Sequence, residues 1–375
     1  METGDGWLLR VRRPGGVVTA AQLEAAADVS ERWGRGIVEV TSRGNLQLRG
    51  IAGGAVDGAA AALVDAGLAD PDPSRDARRG VVAPPLTGHD PAEVVDAGRL
   101  LAAVVDSLVT AALAPGLPPK FGVVVDTGGS IRVGAVPADL VLVAAGGGRW
   151  SAAVGHGPAA RWTGYLVADG VDEVASLAVA LAWRCSARRV RAADLPATDL
   201  DAVLGRHRRG PMRPVGTTAT SASVGRWEHP EPGRLNVVAA PFLGRLAAAA
   251  VRQVAAAAAR AAAVRLTPAR CIALVGVQQS ELEAVVTKLH AAGCSTDPAD
   301  ERHTVSACVG SHGCAAGRAD TLAAATALAA RRHPEPGPHE PVHLSGCEKG
   351  CGAPATGPVL VADAAGRFVP VRVPG

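Results

Sequence analysis

Aromatic residues are scarce: Phe, Trp and Tyr together make up 3% of the 375 residues. Lysine is rarer still, with Lys120, Lys288 and Lys349 the only three among 38 basic residues. A net charge of +3 is too small to argue for a nucleic-acid or membrane partner. Charges recur throughout 1–16 with no continuous apolar segment, so no secretory leader is read there. The Ala-rich run 246–264 has the length of a membrane span, but Arg252 and Arg260 interrupt it and alanine is weakly apolar. It is read as a soluble helix. Seven cysteines, an odd number, argue against a secreted disulfide framework and for the cytoplasm. What is abundant is small and apolar. Hydrophobic residues make up 48%, ample for a buried core, and the length suggests two or three domains.

Residues 6–16 read as a strand and turn. Thr19 then caps a helix, with Gln22 placed for a capping box and Gly34 as its stop. "IVEVTSRGNLQLRGI" (37–51) alternates apolar and polar residues on either side of a turn, and a helix follows at about 56–66. The unit is β-α-β-β-α-like, and it returns. A strand at 234–241 and the Ala-rich helix lead into "AVRLTPARCIALVGV" (263–277). That stretch matches 37–51 at an offset of 226 through Val38/Val264, Thr41/Thr267, Leu48/Leu274 and Gly50/Gly276. With a helix at about 279–292, the pattern predicts two related half-domains joined by pseudo-symmetry. Between them, 75–215 mixes strands ("FGVVVD", "IRVGAV", "LVLVAA", "YLVAD") with helices at about 91–113 and 172–186. Residues 206–234 read as a linker. A helix at about 318–331, a Pro-rich loop and two final strands complete the chain.

Four cysteines fall in two clusters, Cys308-x5-Cys314 and, in "SGCEKGC", Cys347-x3-Cys351. Zinc ribbons favour C-x2-C knuckles, so the spacing fits zinc poorly. A 4Fe-4S cluster needs four thiolates and small neighbours that let backbone N–H groups approach sulfur, and Gly310, Gly313, Gly346, Gly350 and Gly352 supply them. Cys185, Cys271 and Cys294 read as small core residues. Two of the three lysines stand in Gly- or Pro-marked motifs, "LPPKFG" and "CEKGC", where a compact positive charge suits an anion site beside the cysteines. Lys288 reads as a solvated helix residue.

These two cysteine motifs, together with "VTSRGNLQLRGI" (40–51) and the internal repeat, resemble the nitrite and sulfite reductase family over nearly the whole chain. The resemblance implies an α+β fold of duplicated ferredoxin-like half-domains with α/β domains that hold tetrapyrrole and 4Fe-4S cluster. It divides the chain into 1–70 and 232–295 (half-domains), 75–215 (tetrapyrrole-binding) and 300–375 (cluster-binding). It implies Cys308, Cys314, Cys347 and Cys351 as cluster ligands, with Cys351 in the position that bridges to sirohaem in the reductases. Arg43, Arg79 and Lys120 would hold tetrapyrrole carboxylates, and Gln47 and Arg49 alternate along the strand that follows Arg43.

Two departures turn the reading away from anion reduction. Gly122 stands where reductases carry a second lysine, and "CEKGC" replaces "CPNGC". The lysine of "CEKGC", with "PPLTGHDP" (84–91) and the short chain, resembles the family's precorrin-3B synthase branch. That branch implies an oxygen-dependent monooxygenase that hydroxylates precorrin-3A and closes a γ-lactone in cobalamin biosynthesis. Its partners would be the tetrapyrrole, dioxygen and an electron donor, either an NAD(P)H-linked reductase or ferredoxin. Lys349 would tune the cluster. A mononuclear non-haem iron is also implied, with His303, His312 and His343 as candidates. The alternative is a nitrite or sulfite reductase that binds sirohaem.

Overall fold

The computed structural model describes residues 1–95, 97–147, 149–155, 161–167, 170–205, 224–332, 339–353 and 357–371. Helix Ala20–Trp33 starts where the sequence places it. Thr19 Oγ1 accepts from Gln22 N at 3.1 Å, and Thr19 N donates to Gln22 Oε1 at 3.2 Å, the reciprocal pair of a capping box. It ends at Gly34, where a side chain would meet Arg49 O at 2.7 Å.

The first sheet runs in the order Glu2–Thr3, Gly6–Val11, Leu46–Ile51, Ile37–Val40, Arg245–Ala247. The second runs Gly225–Glu228, Arg234–Pro241, Ile272–Gln278, Ala263–Leu266, Val17–Val18. Each therefore takes its last strand from the other half of the chain. The crossings are tight at matching points. Gly16 has φ +71° and an added Cβ would lie 2.0 Å from Leu266 O; Gly244 has φ +73° and its Cβ would lie 2.8 Å from Val40 O. Only glycine fits such close, left-handed backbone without strain. The bulge is repeated too: register slips fall between Trp7 and Leu9, and between Leu235 and Val237. One hydrophobic core serves both halves, with Leu23, Leu48 and Ile51 packed in the same cluster as Val254, Leu274 and Val285.

A third sheet, Val81–Val82, Val123–Asp126, Leu140–Gly146, Arg149–Val154 and Arg161–Val167, is parallel across its first three strands and antiparallel after them. Helices Gly98–Thr110 and Val171–Arg188 bury Leu100, Val104, Leu108, Leu177 and Leu181 in its core. Loop 84–95 ties this unit to the second half. Asn236 Nδ2 donates to His89 O at 2.8 Å, and His89 Nδ1 lies 3.2 Å from His229 Nε2. His229 Nδ1 accepts from Glu231 N, so the neutral ring carries its proton on Nε2 and is the donor to His89. The fourth sheet holds Val305–Ala307, Val342–Ser345 and Val359–Ala362 in parallel and Phe368–Val371 antiparallel, covered by helix Thr321–Arg332.

Three local readings change. The helix read at about 91–113 spans Gly98–Thr110. "IRVGAV" is not a strand. The buried Asp126 carboxylate accepts from the backbone N–H groups of Gly128, Val133 and Gly134 and from Arg132 Nε, and so holds 128–134 as a turn. Part of the expected linker is sheet, since Gly225–Glu228 pairs with Arg234–Pro241; 206–223 of it lie outside the described residues, as do 333–338 of the Pro-rich loop. Among the described residues no helix is long and apolar enough to cross a membrane.

Candidate functional site

Both cysteine pairs start at the carboxyl ends of neighbouring parallel strands. Val305–Ala307 delivers Cys308 and Val342–Ser345 delivers Cys347. This is the sheet end where ligand sites gather in α/β folds. Cys347 is buried, Cys308 and Cys314 are half-buried, Cys351 is exposed, and none is in a disulfide. Cys308 Sγ accepts from Gly346 N at 3.1 Å and from Gly310 N at 3.4 Å. Burial, then the nearby Cys347, Cys308 and Cys314, push the Cys351 thiol up, against the pull of Lys120. Charge interactions thus connect Cys351 with the other three cysteines and with Lys120.

The loops cannot accept larger residues. A Cβ on Gly310 would lie 2.4 Å from Thr321 Oγ1, and one on Gly317 would lie 2.4 Å from the Gly310 carbonyl carbon. A set of free thiols with amides aimed at sulfur fits a 4Fe-4S cluster. No three His, Cys, Asp or Glu side chains among the described residues could hold a single metal ion. A cluster that gives each thiolate its own iron does not require that. His303 Nε2 faces Asp297 O, His312 pairs with Asp320, and His343 is fully buried with Nδ1 2.9 Å from Ser306 Oγ. These three do not converge. Burial and then Arg270 push the His343 imidazole down to about 4, so it is neutral. The thiols of Cys185, Cys271 and Cys294 are buried and pushed up to about 12, as core residues would be.

Next to the cysteines lies a basin of cations. Arg43 sits in the turn between Ile37–Val40 and Leu46–Ile51, and its Nη1 donates to Lys120 O at 3.0 Å. Burial, then the charge of Arg191, lower its guanidinium, and Arg10 and Arg12 act in the same direction. Buried carboxylates fix part of this basin: Asp139 holds Arg191 at 2.7 Å, and Asp76 holds Arg12 at 2.9 Å and Arg79 at 3.2 Å. Arg10, Arg43 and Lys120 have no carboxylate within ion-pair distance among the described residues, and like charges act on Arg10 and Arg43. That arrangement is costly alone and favours a polyanionic ligand.

The other expected contacts are placed differently. Gln47 donates to Glu39 at 3.0 Å, in a cross-strand row of Arg10, Gln47, Glu39 and Arg245. Arg49 is buried, paired with Asp5 at 3.2 Å, and donates to Gly313 O at 2.6 Å inside the first cysteine loop. Lys349 is exposed. A Cβ at Gly122 would lie 3.2 Å from Gly80 O, a tight approach, and 3.6 Å from Arg43 Nη1, an ordinary contact. Sequence reasoning missed Arg10, Arg191 and Arg270. Arg10 alternates with Arg12 on a strand, and Arg270 aligns with Gly44 at the repeat offset, so both carried a readable signal.

The family model described as nitrite/sulfite reductase ferredoxin-like half domain matches residues 1–66. A precorrin-3B synthase of Sinorhizobium is 31% identical over 94% of this chain and 76% of its own length. A ferredoxin–nitrite reductase of Leptolyngbya laminosa is 34% identical, but over 27% of this chain and 20% of its own. The solved structure of Mycobacterium tuberculosis NirA superposes with a TM-score of 0.76 over 97% of this chain and 73% of that one, at 21% identity, which speaks for the fold. The chain belongs to the nitrite/sulfite reductase family, on the branch that carries precorrin-3B synthase.

Proposed function

We propose that this chain is an oxidoreductase of the precorrin-3B synthase kind, which hydroxylates a polycarboxylate tetrapyrrole with dioxygen and closes a γ-lactone. One oxygen atom enters the product, and the other leaves as water with electrons and protons from a ferredoxin-type or NAD(P)H-linked donor. The observation that carries the reading is the joining of two sites: Lys120, whose backbone carbonyl accepts from Arg43 in the basic basin, also lies in the charge field of Cys351. Arg10, Arg43 and Lys120 would hold the substrate carboxylates and orient the macrocycle's face toward the cysteines. Arg12, Arg79 and Arg191, fixed by Asp76 and Asp139, would keep that basin rigid and positive. Cys308, Cys314, Cys347 and Cys351 would hold a 4Fe-4S cluster, which supplies single electrons when bound. Arg49 would brace the first cysteine loop rather than the ligand.

Gly122 favours this reading over nitrite or sulfite reduction. Glycine at 122 supplies no cation where the reductases carry a second lysine, which leaves one cation fewer for a small anion. The test is an absorption spectrum with iron and sulfide analysis on protein purified without air from cells that make sirohaem. The expected result is a broad blue shoulder, about four irons per chain and no sharp Soret band. A strong Soret band with a red band would make the reductase reading the better one.

A further inference from the structure

Arg270 holds a backbone conformation that costs the chain something. Its φ is +62°, one of three left-handed non-glycine residues among those described. The equivalent residue in the first half, Gly44, has φ +64°. The two turns are otherwise the same. Thr41 Oγ1 accepts from the backbone N–H groups of Arg43 and Asn45, and Thr267 Oγ1 accepts from those of Ala269 and Cys271. Glycine would therefore satisfy the turn, yet arginine occupies it.

The surroundings are shaped for that side chain. Nη1 donates to Ala307 O and Nη2 to Gly352 O, each at 3.3 Å, so the guanidinium joins the residue before Cys308 to the residue after Cys351. Two glycines clear its course: a Cβ on Gly352 would lie 2.3 Å from Arg270 Nη2, and one on Gly244 would lie 2.8 Å from Arg270 Cβ. The acid in its field, Glu39, is already engaged by Arg245 at 3.2 Å and by Gln47. The other group whose charge acts on Arg270 is the sulfur of Cys308.

We infer that Arg270 is a positioning residue that sets the redox poise of the cysteine site. A fixed positive charge held between the two cysteine loops favours whichever state carries more negative charge, here the reduced one. This rests on the reading that the four cysteines hold a 4Fe-4S cluster.

The experiment reconstitutes wild type, Arg270→Gly, Arg270→Gln and Arg270→Lys with iron and sulfide without air, then titrates each with dithionite and redox mediators while following the reduced signal by electron paramagnetic resonance. Arg270→Gly relieves the backbone strain, so it should fold and load. The expected result is a midpoint more negative by about 59 mV, a tenfold shift for one electron, in the Gly and Gln variants, with most of it restored by Lys. Equal midpoints for wild type and a loaded Gly or Gln variant would overturn the inference. So would a fall in the Lys variant as large as in the Gly variant, since lost packing rather than lost charge would then be the cause. Failure of wild type to take up iron and sulfide would overturn the cluster reading itself, a distinct outcome.

Discussion

The turns 41–45 and 267–271 have the same hydrogen bonds and opposite assignments. In the first, Arg43 reaches out of the turn to the carbonyl of Lys120, on the basic side of the site. In the second, alanine stands at the matching place and the next residue, Arg270, reaches to Ala307 O and Gly352 O on the cysteine side. A duplicated backbone has thus been used to approach one site from two directions, with the charge moved by one position. The comparison shows where a repeat is free to diverge. The threonine hydroxyl, the left-handed residue and the crossing glycines must stay, because backbone satisfaction depends on them. The projecting side chain is free.

Removing the common destination is the strongest way to break the comparison. Cys347→Ser should abolish bound iron and acid-labile sulfide while both turns persist, which iron analysis beside far-ultraviolet circular dichroism would check. A protein that kept its full iron would refute the assignment. Next, Arg49→Ala should cost about 3 kcal/mol, because it leaves Asp5 with only Arg35 at 3.7 Å and the Thr3 hydroxyl and frees Gly313 O. Chemical denaturation measures it, and a loss under about 1 kcal/mol would mean the Arg49–Asp5 pair does not hold the first half to the cysteine loop.

The crossing glycines sharpen the comparison. Gly16→Ala and Gly244→Ala should each destabilise, by roughly 2–4 kcal/mol, with Gly16 the worse because its 2.0 Å approach to Leu266 O is closer. Melting temperatures in the reverse order would show that the two crossings are not equivalent. The smallest effect concerns pH. Burial, then Arg265 and His229, lower His89, so its folded value lies below its unfolded one. The stability it contributes is complete above the ordinary value of about 6.5 and is lost as pH falls through the depressed one. His89→Asn should flatten the part of the stability profile that falls below about pH 6.5; a profile unchanged in shape would remove the His89–His229 contact from the account.

Much of this was legible in the chain because it is local. The Thr19–Gln22 capping box, the repeated turn and the glycine-rich cysteine loops are written within a few residues. What was not legible depends on buried carboxylates. Asp126 turned an apolar run out of a sheet, and Asp5 drew Arg49 from the expected ligand face to the Cys308–Cys314 loop. A lone aspartate in sequence gives no sign of how many amides it will gather. Arg10 escaped notice because its neighbours are other arginines, in a chain where arginine is common.

The exchanged strands also bear on how the protein is made. Val18 meets Val264, and Val38 meets Leu246, so each sheet edge waits for a partner more than half the chain away. During synthesis the first half leaves the ribosome with Ile37–Val40 as an open edge, and it stays open until Arg245–Ala247 is translated. Folding should then be slow and of high contact order, with chaperone demand concentrated on that interval, and fragments cut between the halves should aggregate rather than fold.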